Sequence, residues 1–455
     1  MFSLSLILRG RILATQDLYL HITVGRWISE HHLVPDKGIF SGTMADAPWL
    51  AHEWLASLGL ATLYDHLGWS GVAAAAALLL ALAIAIVAHE VARTAGPIWG
   101  LGCAATAWGL CLIHLLARPH MATLPLFALW IAAHIRARRK DSVPFYLVPI
   151  MILWVNLHGG FLIGPAFTLV FAAEAVYAAP SFPAAIRAAL RWGAFLAAAL
   201  AAALVSPHGV AGLLFPIELT HMSAALAGVT EWQPSSLANN PALFIWLLLF
   251  VFMALHLELR IALTRLVMFL ILTYLALAHL RHTELLALGA PLLFQDALAA
   301  RRPADLEARI SSLLAPHRRA AVTAIAALFL ALPLTSIAVL GRNPEHGADR
   351  FTPEKAVDWV LAQRPDGPVL NSYNFGGYLI FRGIAPFIDG RVEVYGEDFV
   401  TRYLALSQFP ALLDRYHIAW TIFEPDNSRA IMLSHMPGWH LAYADAVAQI
   451  HVRDR

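Results

Sequence analysis

Long apolar stretches separated by short polar connections occupy most of the first 340 residues of the chain. A transmembrane α-helix needs roughly 20 predominantly apolar residues, and most of these stretches approach that length. The pattern therefore predicts an α-helical polytopic membrane domain over residues 1–340, with about eleven transmembrane helices. A short apolar segment at the amino terminus is followed by predicted spans at 71–92, 98–117, 121–135, 143–157, 161–179, 193–206, 241–257, 264–280, 284–300 and 320–340.

The hydrophobic pattern changes after the last of these stretches. "FTPEKAVDWVLAQRPDG" predicts a helix with Thr352 at the N-cap and Pro353 at the first helical position. Four short runs rich in β-forming residues follow, "PVLN", "YLIF", "PFID" and "RVEVYG". A helix near 397–414, a strand at "AWTIFE" and two strands near 438–452 complete a small soluble α/β domain, residues 341–455.

The amino-terminal segment "MFSLSLILRGRILATQ" is interrupted by Arg9 and Arg11, and it is too short to cross a hydrocarbon core. It also lacks the small-residue cleavage site of a removable signal peptide. We expect this segment to be a truncated first helix.

Composition supports the membrane assignment and excludes several classes of protein. Of the 455 residues 59% are hydrophobic and 13% are charged, whereas about a quarter of a soluble domain is charged. The chain is therefore expected to be surrounded by membrane lipids. A net charge of +1 without a basic tract indicates no nucleic-acid partner. The two cysteines, Cys103 and Cys111, lie in one apolar segment and indicate neither a disulfide framework nor a thiolate metal site.

Arginine and lysine residues concentrate in alternate connections, which face the cytoplasm by the positive-inside rule. This basic set comprises Arg93, Arg136, Arg138, Arg139, Lys140, Arg187, Arg191, Arg260, Arg265, Arg301, Arg302, Arg309, Arg318 and Arg319. The opposite set comprises only Arg26, Lys37, Arg118 and Arg281. The asymmetry predicts that the first loop, about residues 15–70, and the C-terminal domain lie outside the cytoplasm. Within that loop, residues 53–68 read as an amphipathic interfacial helix.

Acidic and imidazole groups cluster in the first predicted outward loop, "TQDLYLHITVGRWISEHHLVPDKGIFSGT", and just after it. Asp17 and His21 are four residues apart and would share one face of a helix, and Asp36 and Glu53 follow them. A carboxylate just outside the membrane could act as a general base, or it could bind a divalent cation that neutralises a phosphate leaving group. The alternative is a wetted loop whose charges only face solvent.

A second cluster combines cationic and imidazole side chains at the mouths of later helices. Cations at the membrane interface are suited to phosphate or pyrophosphate head groups, and the alternative is that each side chain only reaches towards the interface. The candidate phosphate-binding residues are Arg118, His120, His158, Arg281 and His282.

A divalent metal is a further candidate cofactor. Asp17 and His21 could supply two ligands, but the sequence fixes no third ligand and contains no HExxH motif.

The C-terminal domain contains the unusual segment "NSYNFGGYLIFRGIAPFIDGRVEVYGEDF", residues 371–399. Gly376 and Gly377 permit a tight turn or a close backbone approach. Asp389, Arg391 and Glu393 could bind a sugar or a partner loop, or they could form an internal salt bridge at a strand edge.

These segments resemble bacterial polytopic glycosyltransferases of the GT-C type. "DLYLHITVGRWISEHHLVPDKGIFSGT" and "PWLAHEWLA" look like their opening loop, although "DLYLH" stands where two tryptophans are usual. "RPH", "NLHGGF", "SPHG", "EWQPSS" and "RHTELLALGAP" look like their later loop marks. "NFGGYLIFR" and "PFIDGRVEVYGEDF" look like the small C-terminal domain of many members, so the resemblance covers about residues 15–400.

The resemblance implies an inverting hexosyl- or pentosyltransferase at the outer face of the bacterial cytoplasmic (inner) membrane. The donor would be a sugar linked to polyprenyl phosphate, and the acceptor a lipid, a glycan or a protein. By the same resemblance, Asp17 would be the catalytic base or a metal-binding carboxylate, and Glu53 or Asp36 the second acidic group. Arg118 and Arg281 would hold the donor phosphate.

Two other functions stay open at this point. The first is a transporter or flippase of a lipid-linked or small polar solute, and the second is a non-catalytic membrane assembly protein with the outer domain as its binding module. Transporters place ionisable groups near the bilayer midplane, whereas polar groups here crowd one predicted face, which favours surface chemistry. Wide separation of Asp17, Asp36 and Glu53 in space would favour the assembly protein.

Overall fold

The structure, a computed structural model, describes residues 9–222, 226, 229–314 and 349–454, with isolated positions between 320 and 331. The helices up to residue 314 are α1 (Arg9–Leu13), α2 (Gln16–His31), α3 (Trp54–Ala95), α4 (Pro97–Cys111), α5 (His120–Arg139), α6 (Val148–Leu157), α7 (Ile163–Tyr177), α8 (Phe182–Ala203), α9 (Gly209–Thr220), α10 (Pro241–His256), α11 (Leu263–Ala278), α12 (Thr283–Ala299) and α13 (Ala304–Leu314).

The chain is mostly helical with a small C-terminal sheet, as the sequence predicts, but the predicted number of about eleven spans is not confirmed. Within the described residues, four helices are long and apolar enough to cross a membrane: Trp54–Ala95, Pro97–His114, Gly159–Tyr177 and Phe182–Ala203. Shorter apolar helices cover Phe145–Leu157, Gly209–Thr220, Pro241–His256 and Leu263–Ala278. The span predicted at 320–340 lies outside the continuously described part of the chain.

Helix α3 joins two elements that the sequence pattern separates. The predicted amphipathic helix at 53–68 and the predicted span at 71–92 follow one another directly in α3, but a sharp kink at Gly68 divides them into two helical segments at the predicted boundary. Gly68 has φ 64° and ψ −163°, a conformation that glycine adopts readily because it has no Cβ. Helix α9 was not predicted, because it is short and contains Pro216.

Close packing between α2 and α3 sets the position of the first loop. A Cβ at Gly25 of α2 would lie 2.1 Å from the carbonyl oxygen of Ser57 in α3, so the two backbones meet at a glycine. Nδ1 of His21, one turn earlier, lies 2.9 Å from the Ser57 hydroxyl. The start of α3 is therefore held beside the polar face of α2.

The C-terminal domain combines short helices with a four-stranded sheet of order β1-β2-β4-β3. Strands β1 and β2 are parallel, and β4 pairs antiparallel with both β2 and β3. The elements are α14 (Glu354–Gln363), β1 (Val369–Asn371), α15 (Gly376–Phe381), α16 (Val392–Tyr395), α17 (Glu397–Leu404), α18 (Phe409–Arg415), β2 (Trp420–Phe423), α19 (Ser428–Leu433), β3 (Trp439–Ala444) and β4 (Gln449–Arg453).

Several local predictions for this domain are wrong. "YLIF" lies in helix α15, "RVEVYG" contains helix α16, and residues 386–389 are irregular, so only "PVLN" of the four runs contains a strand. Packing of α15 against α2 overrides the β preference of "YLIF". Pro353 rather than Thr352 occupies the N-cap position of α14, without a side-chain capping hydrogen bond, and the Thr352 hydroxyl lies 2.8 Å from the Tyr19 hydroxyl. The helix predicted near 397–414 is divided into α17 and α18.

The C-terminal domain docks directly on α2 and on the first loop. A Cβ at Gly377 would lie 2.1 Å from the carbonyl oxygen of Gln16, so α15 touches the start of α2 through a residue without a side chain. The first loop adds two hydrogen bonds to backbone carbonyls, from the Gly42 amide to Pro386 at 2.8 Å and from the Thr43 hydroxyl to Phe387 at 2.7 Å. The domain thereby covers the N-terminal end of α2.

We predict that Gly377→Ala weakens this docking, because the new methyl group would collide with a backbone oxygen. Overpacking of this kind costs about 1–3 kcal/mol. The measurements are the thermal unfolding midpoint of the purified full-length protein and the rate of protease cleavage between bundle and domain. Gly59→Ala is the matched control, because Gly59 is exposed and a Cβ there meets open space. Equal midpoints and cleavage rates for the two variants would contradict the docking contact.

Candidate active site

A cavity of about 650 Å³ lies between the helix ends that carry the first loop and the C-terminal domain. It brings together most of the site residues predicted from the sequence. Those lining it are Asp17, His21, Glu53, Arg118, His120, His158, Arg281 and His282. Asp36 is exposed and does not line the cavity.

Arg118 joins two carboxylates at the centre of the cavity. Nη2 of Arg118 lies 2.8 Å from Asp17, Nη1 donates to Glu231 at 2.5 Å, and Nε donates to the Thr15 hydroxyl at 2.7 Å. Asp17 lies in the first turn of α2, where the helix dipole favours a negative charge. Burial raises the pKa of Asp17, and Arg118 offsets only part of this rise.

Arg281 contacts the other oxygen of Glu231. Its Nη1 lies 3.7 Å from that oxygen, and its guanidinium stacks over the Trp232 ring, 4.8 Å from the ring centre. Burial raises the pKa of Glu231, but Arg118 and Arg281 outweigh burial and lower this pKa to about 2. Glu231 therefore carries a negative charge at neutral pH and bridges the two arginines.

Three imidazoles converge on the carboxylate of Glu53. The Nε2 atoms of His21, His158 and His52 lie 3.5, 3.6 and 3.7 Å from its oxygens. Burial raises the pKa of Glu53, but the surrounding imidazoles, His52 foremost, hold it well below its usual range. Glu53 is therefore ionised at neutral pH.

The segment "NLHGG" fixes the orientation of His158. Helix α6 ends at Leu157, His158 is extended, and the Gly160 amide donates to its Nδ1 at 3.0 Å. Nε2 on the other side of the ring lies 3.6 Å from Glu53 and 3.3 Å from Nη2 of Arg281. Burial lowers the pKa of His158 to about 4, so the ring is neutral at physiological pH.

Among the described residues, no third metal ligand accompanies Asp17 and His21, the two ligands predicted from the sequence. Asp17 is already paired with Arg118, and His21 faces Glu53 and Ser57. Among the described residues, no group of three or more histidine, cysteine, aspartate or glutamate side chains is arranged to hold a metal ion. A divalent metal therefore stays a prediction from the sequence.

The C-terminal domain supplies one wall of the cavity, and this wall includes Arg391 and Glu393, for which the sequence left sugar binding open. Tyr373, Gly390, Arg391 and Glu393 line it, and a Cβ at Gly390 would lie 2.4 Å from the Asp17 carboxylate. Only the three-dimensional packing brings these segments together, because they are far apart in sequence.

The "DGRVE" segment of this wall is held by polar contacts. Arg391 forms the internal salt bridge that was one of the predicted alternatives, with Nη2 2.7 Å from Asp389. The Arg391 guanidinium stacks on Trp49 of the first loop, 4.6 Å from the ring centre. Nε1 of Trp49 donates to Glu393 at 3.1 Å. The wall and the first loop are therefore one packed unit.

Comparison with known proteins supports the fold at the level of solved structures. No protein-family model matches the sequence, and a search of curated proteins finds no relative. The archaeal oligosaccharyltransferase AglB from Archaeoglobus fulgidus is 12% identical, with a TM-score of 0.54 over 90% of this chain. The chain spans 66% of the length of AglB. ArnT from Cupriavidus metallidurans is 13% identical, with a TM-score of 0.53 over 99% of this chain and 96% of its own.

Both of these structures are GT-C glycosyltransferases. The chain therefore has the fold of that class, and the resemblance drawn from its sequence motifs is confirmed at the level of the fold. The similarity to ArnT extends over nearly the whole length of this chain and of ArnT.

The ion pair of His52 and Glu53 predicts a pH dependence of stability. Burial lowers the pKa of His52, but Glu53 raises it, and the net effect is a rise above the ordinary value of 6.5. The stabilisation is therefore complete below pH 6.5 and is lost as the pH rises through the higher pKa of the folded protein. We expect the unfolding midpoint to fall across this range in the wild type and to fall less in His52→Gln.

The control for this experiment is His31→Gln. His31 is exposed and does not line the cavity, so this variant should keep the wild-type slope of unfolding midpoint against pH. Identical slopes in His52→Gln and wild type would show that the pair with Glu53 does not stabilise the fold.

Proposed function

We propose that this protein is a membrane glycosyltransferase that moves a sugar from a polyprenyl-phosphate-linked donor to an acceptor at the extracytoplasmic membrane face. The observation that carries the proposal is the mixed lining of the large cavity between the helix ends and the C-terminal domain. It combines carboxylates, arginines and imidazoles with apolar side chains of the membrane helices. Such a lining matches a substrate with a charged head and a hydrocarbon tail.

Helices α7 and α11 contribute part of the apolar lining of the cavity. Ile163, Ala166 and Phe167 belong to the first turns of α7, and Ile271 and Leu275 to the last turns of α11. These positions lie inside the helices, whereas the charged residues lie in the connections and at helix ends. A polyprenyl chain would pack against the apolar positions while its phosphate remains among the polar ones.

The donor phosphate would be bound by Arg118 and Arg281. In the reaction, the bond between the anomeric carbon and the phosphate oxygen breaks, and the phosphate leaves with the electron pair. Guanidinium groups form strong charge-assisted hydrogen bonds to phosphate, so the two arginines would stabilise the charge of the leaving group. His120, His158 and His282 complete this side of the cavity.

Asp17 would act as the general base. It accepts the proton of the acceptor hydroxyl or amine while that group attacks the anomeric carbon from the face opposite the phosphate, with inversion. Its raised pKa suits this role, because a stronger base takes the proton more readily. Glu53, held ionised among imidazoles, is the second carboxylate and would stabilise positive charge on the reacting sugar.

The ligands of the similar structures support the class of donor. AglB was solved in complex with an inhibitory peptide and a dolichol-phosphate, and ArnT bound to undecaprenyl phosphate. By analogy, we propose a polyprenyl phosphate as carrier and a lipid, glycan or protein as acceptor. We also propose that the C-terminal domain lies outside the cytoplasmic membrane of a bacterium, as the distribution of arginine and lysine predicts.

We predict that Asp17→Asn lowers the turnover number by about 10²–10⁴-fold, the usual contribution of a general base. The KM for the donor should stay unchanged or fall, because Arg118 would lose an anionic competitor. The assay is sugar transfer by the purified protein from polyprenyl-phosphate-linked sugars. Asp46→Asn is the matched control, because Asp46 is 96% exposed and lies outside the cavity lining. Full activity in Asp17→Asn would remove Asp17 from the role of base.

Arg281→Gln should raise the KM for the donor by about tenfold or more, because a charge-assisted contact to phosphate contributes roughly 1.4 kcal/mol or more. The same transfer assay with varied donor concentration measures this effect. Arg26→Gln is the matched control, because Arg26 pairs with Asp65 and does not line the cavity. An unchanged donor KM in Arg281→Gln would contradict the assigned phosphate contact.

A further inference from the structure

Glu231 occupies an unusual position between the two candidate phosphate-binding arginines. One oxygen accepts from Arg118 at 2.5 Å, and the other lies 3.7 Å from Nη1 of Arg281. A carboxylate that bridges two guanidinium groups is placed where an anionic ligand of both groups would bind. The Glu231 carboxylate thus occupies part of the site in which Arg118 and Arg281 would bind an anionic ligand.

The charges of the cavity are already balanced without a ligand. Among the described residues that line it, the permanent cations are Arg118, Arg281 and Arg391, and lysine is absent from this lining. Arg391 is neutralised by Asp389, to which it is bound through two nitrogens. Arg118 and Arg281 together face Asp17 and Glu231. No arginine of the lining is therefore left without an acidic partner.

The imidazoles of the cavity add little positive charge on the phosphate side. Burial lowers the pKa of His158 to about 4 and that of His282 to about 3, so both rings are neutral at physiological pH. Three further carboxyl groups, Glu53, Glu284 and Glu393, also line the cavity, and Glu53 among them is held ionised by its imidazoles. Each additional negative charge of a ligand therefore meets repulsion that no spare cation offsets.

The two arginines differ in how readily they can accept a phosphate. Each nitrogen of Arg118 already has a partner, in Thr15, Glu231 and Asp17. Nη1 of Arg281 lies 3.7 Å from Glu231, which is longer than a hydrogen bond, and Nη2 lies 3.3 Å from Nε2 of the neutral His158 ring, so neither nitrogen is committed to an acidic partner at hydrogen-bond distance. The guanidinium of Arg281 therefore keeps donors available for one phosphate group while Glu231 stays on Arg118.

We infer that Glu231 is a specificity-determining residue that fills the second anion position of a two-arginine site, so that the site accepts a lipid monophosphate and disfavours a lipid diphosphate. This inference rests on the proposed function, in which the donor phosphate binds at the site of Arg118 and Arg281, and it assigns the direct contacts with the phosphate to Arg281. A diphosphate would place its second phosphoryl group against the Glu231 carboxylate. Like charges placed together in an interface repel each other, and this repulsion discriminates against the diphosphate.

The test compares binding of two sugar-free probes, undecaprenyl phosphate and undecaprenyl diphosphate, to the purified full-length protein in nanodiscs. We expect the wild type to bind the monophosphate about tenfold or more tightly, which corresponds to 1.4 kcal/mol or more. In Glu231→Gln the two dissociation constants should differ by no more than about threefold, mainly because the diphosphate binds more tightly than it does to the wild type. Glu231→Asp retains the charge and should retain the preference.

Glu218→Gln is the matched control, because Glu218 is exposed and lies outside the cavity lining. The ratio of the affinities for the two lipids in this variant should equal that of the wild type. Equal wild-type affinities for the two lipids, or an unchanged ratio in Glu231→Gln with a wild-type unfolding midpoint, would overturn the inference. Selective binding of the monophosphate without sugar transfer would overturn only the proposed reaction. Failure of both lipids to bind would overturn the phosphate site and the inference with it.

Discussion

A guanidinium that is mostly withdrawn from water must be surrounded by acceptors, and Arg118 meets this requirement by joining three parts of the chain. Its side chain is 18% exposed, and it binds Thr15 before α2, Asp17 within α2 and Glu231 in the connection before α10. Because two carboxylates contact this guanidinium, loss of one of them still leaves Arg118 with an acidic partner, whereas loss of both would leave a largely buried charge unpaired, which is destabilising. The same contacts that stabilise the bundle end therefore gather the carboxylates and cations on which the proposed chemistry depends.

The C-terminal domain packs directly on the part of this cluster that belongs to α2. Gly377 and Gly390 approach Gln16 and the Asp17 carboxylate so closely that a side chain at either position would collide. Glycine at both positions lets the domain lie directly on the start of α2, which limits the access of water to Asp17 and raises its pKa. The domain is thus part of the cavity rather than an appendage of the membrane bundle.

Most of the polar residues of the cavity could be found from the sequence, because alternate connections of a helical bundle meet at the same end. Asp17, Arg118, His158 and Arg281 all lie in or beside such connections, and the sequence therefore placed them together. The bridging role of Glu231 and the contact of Gly390 with Asp17 could not be found, because both depend on side-chain packing between distant segments. The same limit explains "YLIF", whose composition favours a strand although its packing against α2 makes it a helix.

The kink in α3 at Gly68 determines the direction in which the distant Glu53 carboxylate points. Glu53 stands at the start of this 42-residue helix, and Gly68 separates the part that bears Glu53 from the part that packs in the core. The angle between the two parts is set by the torsions of Gly68, which residues with a side chain adopt only under strain. The orientation of Glu53 relative to its three imidazoles therefore depends on Gly68, a residue that does not line the cavity.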